Sequence, residues 1–212
     1  MLILIGMVVL LAIVAGTYVK VALPNTGEAP VIKVSQDSNS IENGRYLANH
    51  VAVCMDCHST RDWSLFAGPM AKTGQGAGGE VFDQKMGFPG SFHAPNITPY
   101  AIGDWTDGEI FHAITTGVNK EGRALFPIMA SHRFGRMDKQ DIYDIIAYIR
   151  TLTPVKKHVP VSRADFPVNF IINTMPWTMY AGMTNKDLEA IYDYLRSVKK
   201  IKNKVVRFSP GN

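Results

Sequence analysis

Cysteine is nearly absent from this chain: two residues in 212, Cys54 and Cys57, with two residues between them. Two thiols cannot build a disulfide framework. A structural zinc site would need two further Cys or His ligands at short spacing, and no such pair follows. A thioredoxin-like redox pair would need a βαβ setting, which the surrounding pattern lacks. Charge of one sign is also scarce, and a net charge of +4 gives no argument for nucleic acid. The apolar N-terminus has no basic residue before it beyond the amino group, no small-x-small cleavage site after it, and no cysteine behind it. These absences argue against an ordinary signal peptide, the competing reading, and exclude a lipid anchor. Gly74-Gln75-Gly76-Ala77-Gly78-Gly79 matches G-x-G-x-x-G, but no strand precedes it and no helix pattern follows, which excludes a dinucleotide fingerprint.

What is there begins with eighteen uncharged residues, Leu2 to Val19, closed by Lys20. At about 1.5 Å per residue they reach most of the way across a hydrocarbon core. The expectation is an uncleaved transmembrane anchor over residues 1–20. Residues 21–39 mix Pro, Gly, Ser and Asn without a period and read as a linker. A main domain then spans 40–159. Residues 160–212 form a C-terminal extension with one further helix, rich in aromatics from Phe166 to Tyr180 and ending in a basic tail. That extension is expected to dock on a partner.

Cys54-Met55-Asp56-Cys57-His58 reads as a covalent haem-attachment site. The two thiols are spaced to add across the two vinyl groups of one porphyrin, and His58 is placed as the iron's proximal ligand. One motif means one haem c. Covalent attachment takes place outside the cytoplasm, so the expected location is the inner membrane, single-pass, with the haem domain on the periplasmic side. The sixth iron position could hold Met or His, or stay open. Met129, in Phe126-Pro127-Ile128-Met129, lies between two helical stretches on a loop able to cross to the face opposite His58. His132 on the same loop is the substitute, and Met70 lacks a clear route across the ring.

Helix signals flank that loop. A first helix is expected from Ser40 into the haem motif, with Gly44, Leu47, Ala48 and Val51 on one face and Gly44 at a tight crossing. Thr106 and Glu109 form a capping box for a helix ended by Gly117. From Asp138 onward, Ile142, Ile145, Ile146, Ile149 and Leu152 make one apolar stripe that Pro154 closes. Residues 59–104, rich in Gly and Pro, read as loop, and Asn96-Ile97-Thr98 as a turn rather than a glycosylation site. A weak copy of 137–159 recurs at 183–205.

The chain resembles the class I c-type cytochromes, particularly the haem modules of cytochrome subunits serving membrane-bound alcohol and sugar dehydrogenases. The likeness runs from about Asn43 to Val159. It rests on Gly44-Arg45-Tyr46-Leu47, on Cys54 to His58 with Ser59-Thr60-Arg61-Asp62, and on Ala94 to Pro99. Ile102 to Asp107, Phe126 to Met129 and Asp141 to Val155 complete it. The resemblance implies an all-α fold around one covalent haem with His58 and Met129 axial, and it places Asn96 and Trp105 near the haem propionates. It also implies electron transfer, with redox partner proteins and the membrane as partners and no catalysis by this chain itself. A free tethered shuttle, and a haem enzyme or gas sensor with an open iron site, are the alternatives. Two features depart from the family pattern: those subunits usually carry three haem modules, and Ala130 stands where a Pro commonly follows the ligand Met.

Overall fold

In a computed structural model the chain is described over residues 2–71, 73–166 and 168. The aromatic-rich stretch from Phe170, the second copy at 183–205 and the helix expected in the C-terminal extension lie outside the described residues. In chain order the helices are α1 (Leu2–Ala22), α2 (Ser38–Tyr46), α3 (Cys54–Cys57), α4 (Pro99–Ile102), α5 (Asp107–Thr116), α6 (Ser131–Phe134) and α7 (Lys139–Arg150).

α2 opens two residues before the expected start, because the Asp37 carboxylate accepts from the Asn39 and Ser40 amides and caps it. It crosses α7 at Gly44, where a Cβ would run into the Asp144 carbonyl oxygen. The tight crossing read from the sequence is therefore real. After Tyr46 the chain widens into a π-turn over Leu47–Val51. That extra residue per turn breaks the expected face: Leu47 and Ala48 are buried with Gly44, whereas Val51 is 52% exposed. The stripe on α7 behaves as expected, and Ile142, Ile145, Ile146, Ile149 and Leu152 form the core with Leu47, Ala48, Met55 and Ile110. α5 carries the predicted capping box, with Glu109 N donating to Thr106 Oγ1 at 3.1 Å and Thr106 N to Glu109 Oε2 at 2.6 Å. Gly117 ends it in the left-handed region.

Two expectations are corrected. The fold is not all-α: β1 (Val81–Phe82), β2 (Gly90–His93) and β3 (Arg163–Ala164) form an antiparallel sheet in the order β1-β2-β3. Strands of two to four residues are too short to show a period of two, so a Gly- and Pro-rich region hid them. β3 comes from the first residues of the C-terminal stretch, where His93 N also donates to Ser162 Oγ at 2.9 Å. The second correction concerns the N-terminus. Leu2–Ala22 is a helix, but among the described residues no helix is long and apolar enough to cross a membrane. The side chains of residues 2–5, 8, 9, 12 and 19–21 lie outside the described set. The transmembrane anchor, and the single-pass membrane location drawn from it, do not stand.

The stretch between α1 and α2, expected as a slack linker, lies along α5. Thr26 Oγ1 is 3.0 Å from His112 Nε2, and the Pro30 carbonyl sits where a side chain at residue 108 would be, so Gly108 must be glycine. Val34 is buried in the core, and its amide donates to Asp107 Oδ2 at 2.9 Å.

Candidate functional site

The haem-attachment motif is placed by an abrupt change of backbone direction. Between the π-turn and α3, Val53 has φ 49°, in the left-handed region. For a β-branched residue this costs on the order of 1–3 kcal/mol. The turn starts α3 at Cys54, so Cys54 lines a cavity while Met55 turns into the core. Cys57 is exposed, and both thiols are free. Burial pushes the Cys54 thiol up to about 11. It raises Cys57 as well, with Asp56 and Glu80 adding to the effect. Both sulfurs are therefore thiols at neutral pH.

His58 follows at the end of α3 and lines the same cavity. Its Nδ1 lies 2.8 Å from the Pro95 carbonyl. A carbonyl only accepts, so Nδ1 carries the proton and Nε2 keeps its lone pair for a metal. Burial lowers the His58 pKa, and the Pro95 bond opposes this. The loop beneath is held by Gly78, whose amide donates to the His58 carbonyl at 2.8 Å. With φ +72°, and with Ala94 O and Asn96 N 2.6 and 2.8 Å from any added Cβ, only glycine fits there.

The cavity measures about 430 Å³. Its wall is largely aliphatic, with Ile97, Ile102, Ile110, Ile114, Leu125 and Ile149, and Met129 joins it from the loop before α6. Neither Met70 nor His132 lines it, but His158 does. The donor set fits a covalent haem: the Cys54 thiol, a neutral imidazole and a thioether line one apolar chamber, and the exposed Cys57 thiol follows three residues after Cys54, outside that lining. A zinc ion is a poorer match, because among the described residues no group of three or more His, Cys, Asp or Glu could hold a metal.

Asn96 and Trp105 both line the cavity. The Asn96 amide is committed to the protein: Nδ2 donates to Val155 O at 2.9 Å and Lys157 O at 3.2 Å, and Oδ1 accepts from Thr98 N at 2.9 Å. It therefore builds the expected turn, closing an Asx-type bend. The Trp105 carbonyl is gripped by Arg150, which also pairs with Asp107 at 2.8 Å. Sequence reasoning missed Tyr100, Asn119, Arg123 and Lys157 on the wall. Lys157 Nζ donates to Gly78 O at 2.7 Å and Thr60 Oγ1 at 2.8 Å, tying the chain after α7 to the loop under His58. No spacing rule signals a contact across 79 residues.

No family model matches the chain. It is 30% identical over 152 residues to the fructose dehydrogenase cytochrome subunit of Gluconobacter japonicus, covering 69% of this chain and 28% of that protein. It is 28% identical over 156 residues to the cytochrome c subunit of the quinone alcohol dehydrogenase of Gluconacetobacter polyoxogenes, covering 71% and 30%. A diheme cytochrome c-type protein of Cereibacter sphaeroides is 28% identical over 132 residues, covering 61% and 42%. The chain thus spans less than half the length of each of these relatives. With the haem-attachment motif at one wall of an aliphatic chamber and cytochromes as its relatives, this chain is a c-type cytochrome module.

Proposed function

We propose that this chain transfers single electrons as the cytochrome c subunit of a dehydrogenase complex, through one haem c held by thioether bonds to Cys54 and Cys57. His58 and Met129 are its axial ligands in this reading. The carrying observation is that Cys54, His58 and Met129 line one aliphatic cavity. When bound, the haem supplies one-electron chemistry at its iron. The protein's own part is to fix ligands and exclude water. Pro95 holds His58 in the tautomer that leaves Nε2 free. The aliphatic wall keeps the dielectric low, and a thioether ligand raises the potential into the range suited to electron transfer. Arg123 and Lys157 bring positive charge to the wall, with Glu121 beside them, and Arg123 is the cation there available to a haem carboxylate, since Lys157 Nζ is bonded to Gly78 O and Thr60 Oγ1. The chain itself performs no substrate chemistry in this reading. Its donor would be the dehydrogenase subunit that the relatives' names imply.

The test is Met129→Ala in the haem-loaded protein. The weak far-red band of an iron–thioether bond should vanish and the potential should fall, while haem remains covalently attached. A variant that keeps the band overturns the ligand assignment. His158 on the same wall is the competing ligand. If His158→Ala abolishes low-spin ligation and Met129→Ala does not, the role passes to His158.

A further inference from the structure

Strand β2 carries an aromatic that touches the Met129 loop and runs directly into the residue that orients His58. Phe92 is 4% exposed and stacks on Phe126, with ring centroids 3.6 Å apart and planes within 13°. Phe88 meets the same Phe126 ring edge-on at 6.2 Å. Phe126 is therefore held on two sides. Three residues later the loop closes, with Met129 N donating to Phe126 O at 3.2 Å and Ser131 N to Met129 O at 2.7 Å. In the other direction, Pro95 lies three residues beyond Phe92 and accepts the His58 Nδ1 proton. Phe88, Phe92 and Phe126 are not among the cavity's lining residues. They stand behind the wall and act through other residues.

We propose that β2 and its continuation to Pro95 form one bracket for both faces of the site, in which the Phe92–Phe126 stack is the positioning contact that keeps Met129 on the iron. The inference rests on the His58/Met129 reading and names what enforces it. A thioether is a weak ligand, so its occupancy depends on how far the loop resists displacement. His58 does not depend on the stack, because it is adjacent in sequence to the covalent attachment point and its partner is a backbone carbonyl. An aromatic pair of this kind contributes enough to change a competing ligand's affinity roughly five- to tenfold.

The experiment uses the haem-loaded ferric protein and imidazole as the probe, followed by loss of the far-red band. Phe92→Leu and Phe126→Leu keep apolar bulk but remove the stack, and each should tighten imidazole binding about five- to tenfold. The double variant should do no more than Phe126→Leu alone, which already removes both the stack and the Phe88 edge contact. Phe126→Tyr keeps the ring and should bind imidazole as the wild type does. Phe82→Leu should also leave binding unchanged, since Phe82 touches Phe88 and not Phe126. Wild-type imidazole affinity in both Leu variants overturns the bracket, even if they melt earlier, and leaves the ligand assignment standing. Retention of the band in Met129→Ala instead overturns the assignment itself. If Phe92→Leu does not load haem, Phe88→Leu decides. It removes the edge contact with Phe126, together with the Phe82 contact that Phe82→Leu controls for, and should tighten binding about twofold; an unchanged affinity there sinks the proposal.

Discussion

Asp37 shows what one exposed side chain contributes here. Its carboxyl is held down from 3.8 to about 2, first by the Ser35 hydroxyl and then by the Ser40 amide at the start of α2. A depressed carboxylate stabilises the fold above its ordinary value and loses that contribution as the pH falls from about 4 to about 2. Asp37→Asn keeps an acceptor at the cap but cannot titrate. Its melting temperature should therefore fall less steeply than wild type across that acid range, and parallel curves would refute the linkage. At the haem motif, Cys57→Ser should leave little haem covalently bound on a denaturing gel, and wild-type haem staining would contradict the attachment proposed for Cys57. The haem-attachment motif is read from five adjacent residues; the Asp37 cap was not read, since the helix was expected to open at Ser40. Lys157 and Phe92 were not read either. Their partners lie 79 and 34 positions away, and no local pattern encodes such pairs.

Among the elements, α2 and α7 depend on each other at Gly44. Gly44→Ala should cost about 1–3 kcal/mol through overpacking against the Asp144 carbonyl, read as an earlier denaturation midpoint of the haem-loaded protein. An unchanged midpoint would mean that the helices slide apart at no cost. α5 and α7 were readable because a capping box and a five-residue aliphatic stripe each state both position and face. The π-turn was not, since one added residue per turn changes no composition but rotates Val51 outward. The sheet escaped for a different reason. Its strands are defined by their partners, Val81 with His93 and Gly90 with Ala164, rather than by any alternation of their own.

For the whole molecule, the two cysteines allow one attachment motif, so the intact protein should gain the mass of one haem per chain. A mass corresponding to two would require a non-covalent site and break the single-haem reading. The likeness to longer cytochrome subunits assigns this chain to a type of protein, but the sequence alone could not show how its N-terminal stretch is used. Thr26, Gly108 with Pro30, and Val34 with Asp107 fasten that stretch to α5 at three points. A slack coil over residues 21–39 would have given the module an r.m.s. reach of roughly 24 Å, and a high local concentration at any site within that radius. Fastening removes the sampling. Residues 26–34 thus belong to the folded module that carries the cavity, and any reach toward a redox partner would have to come from elsewhere than this stretch.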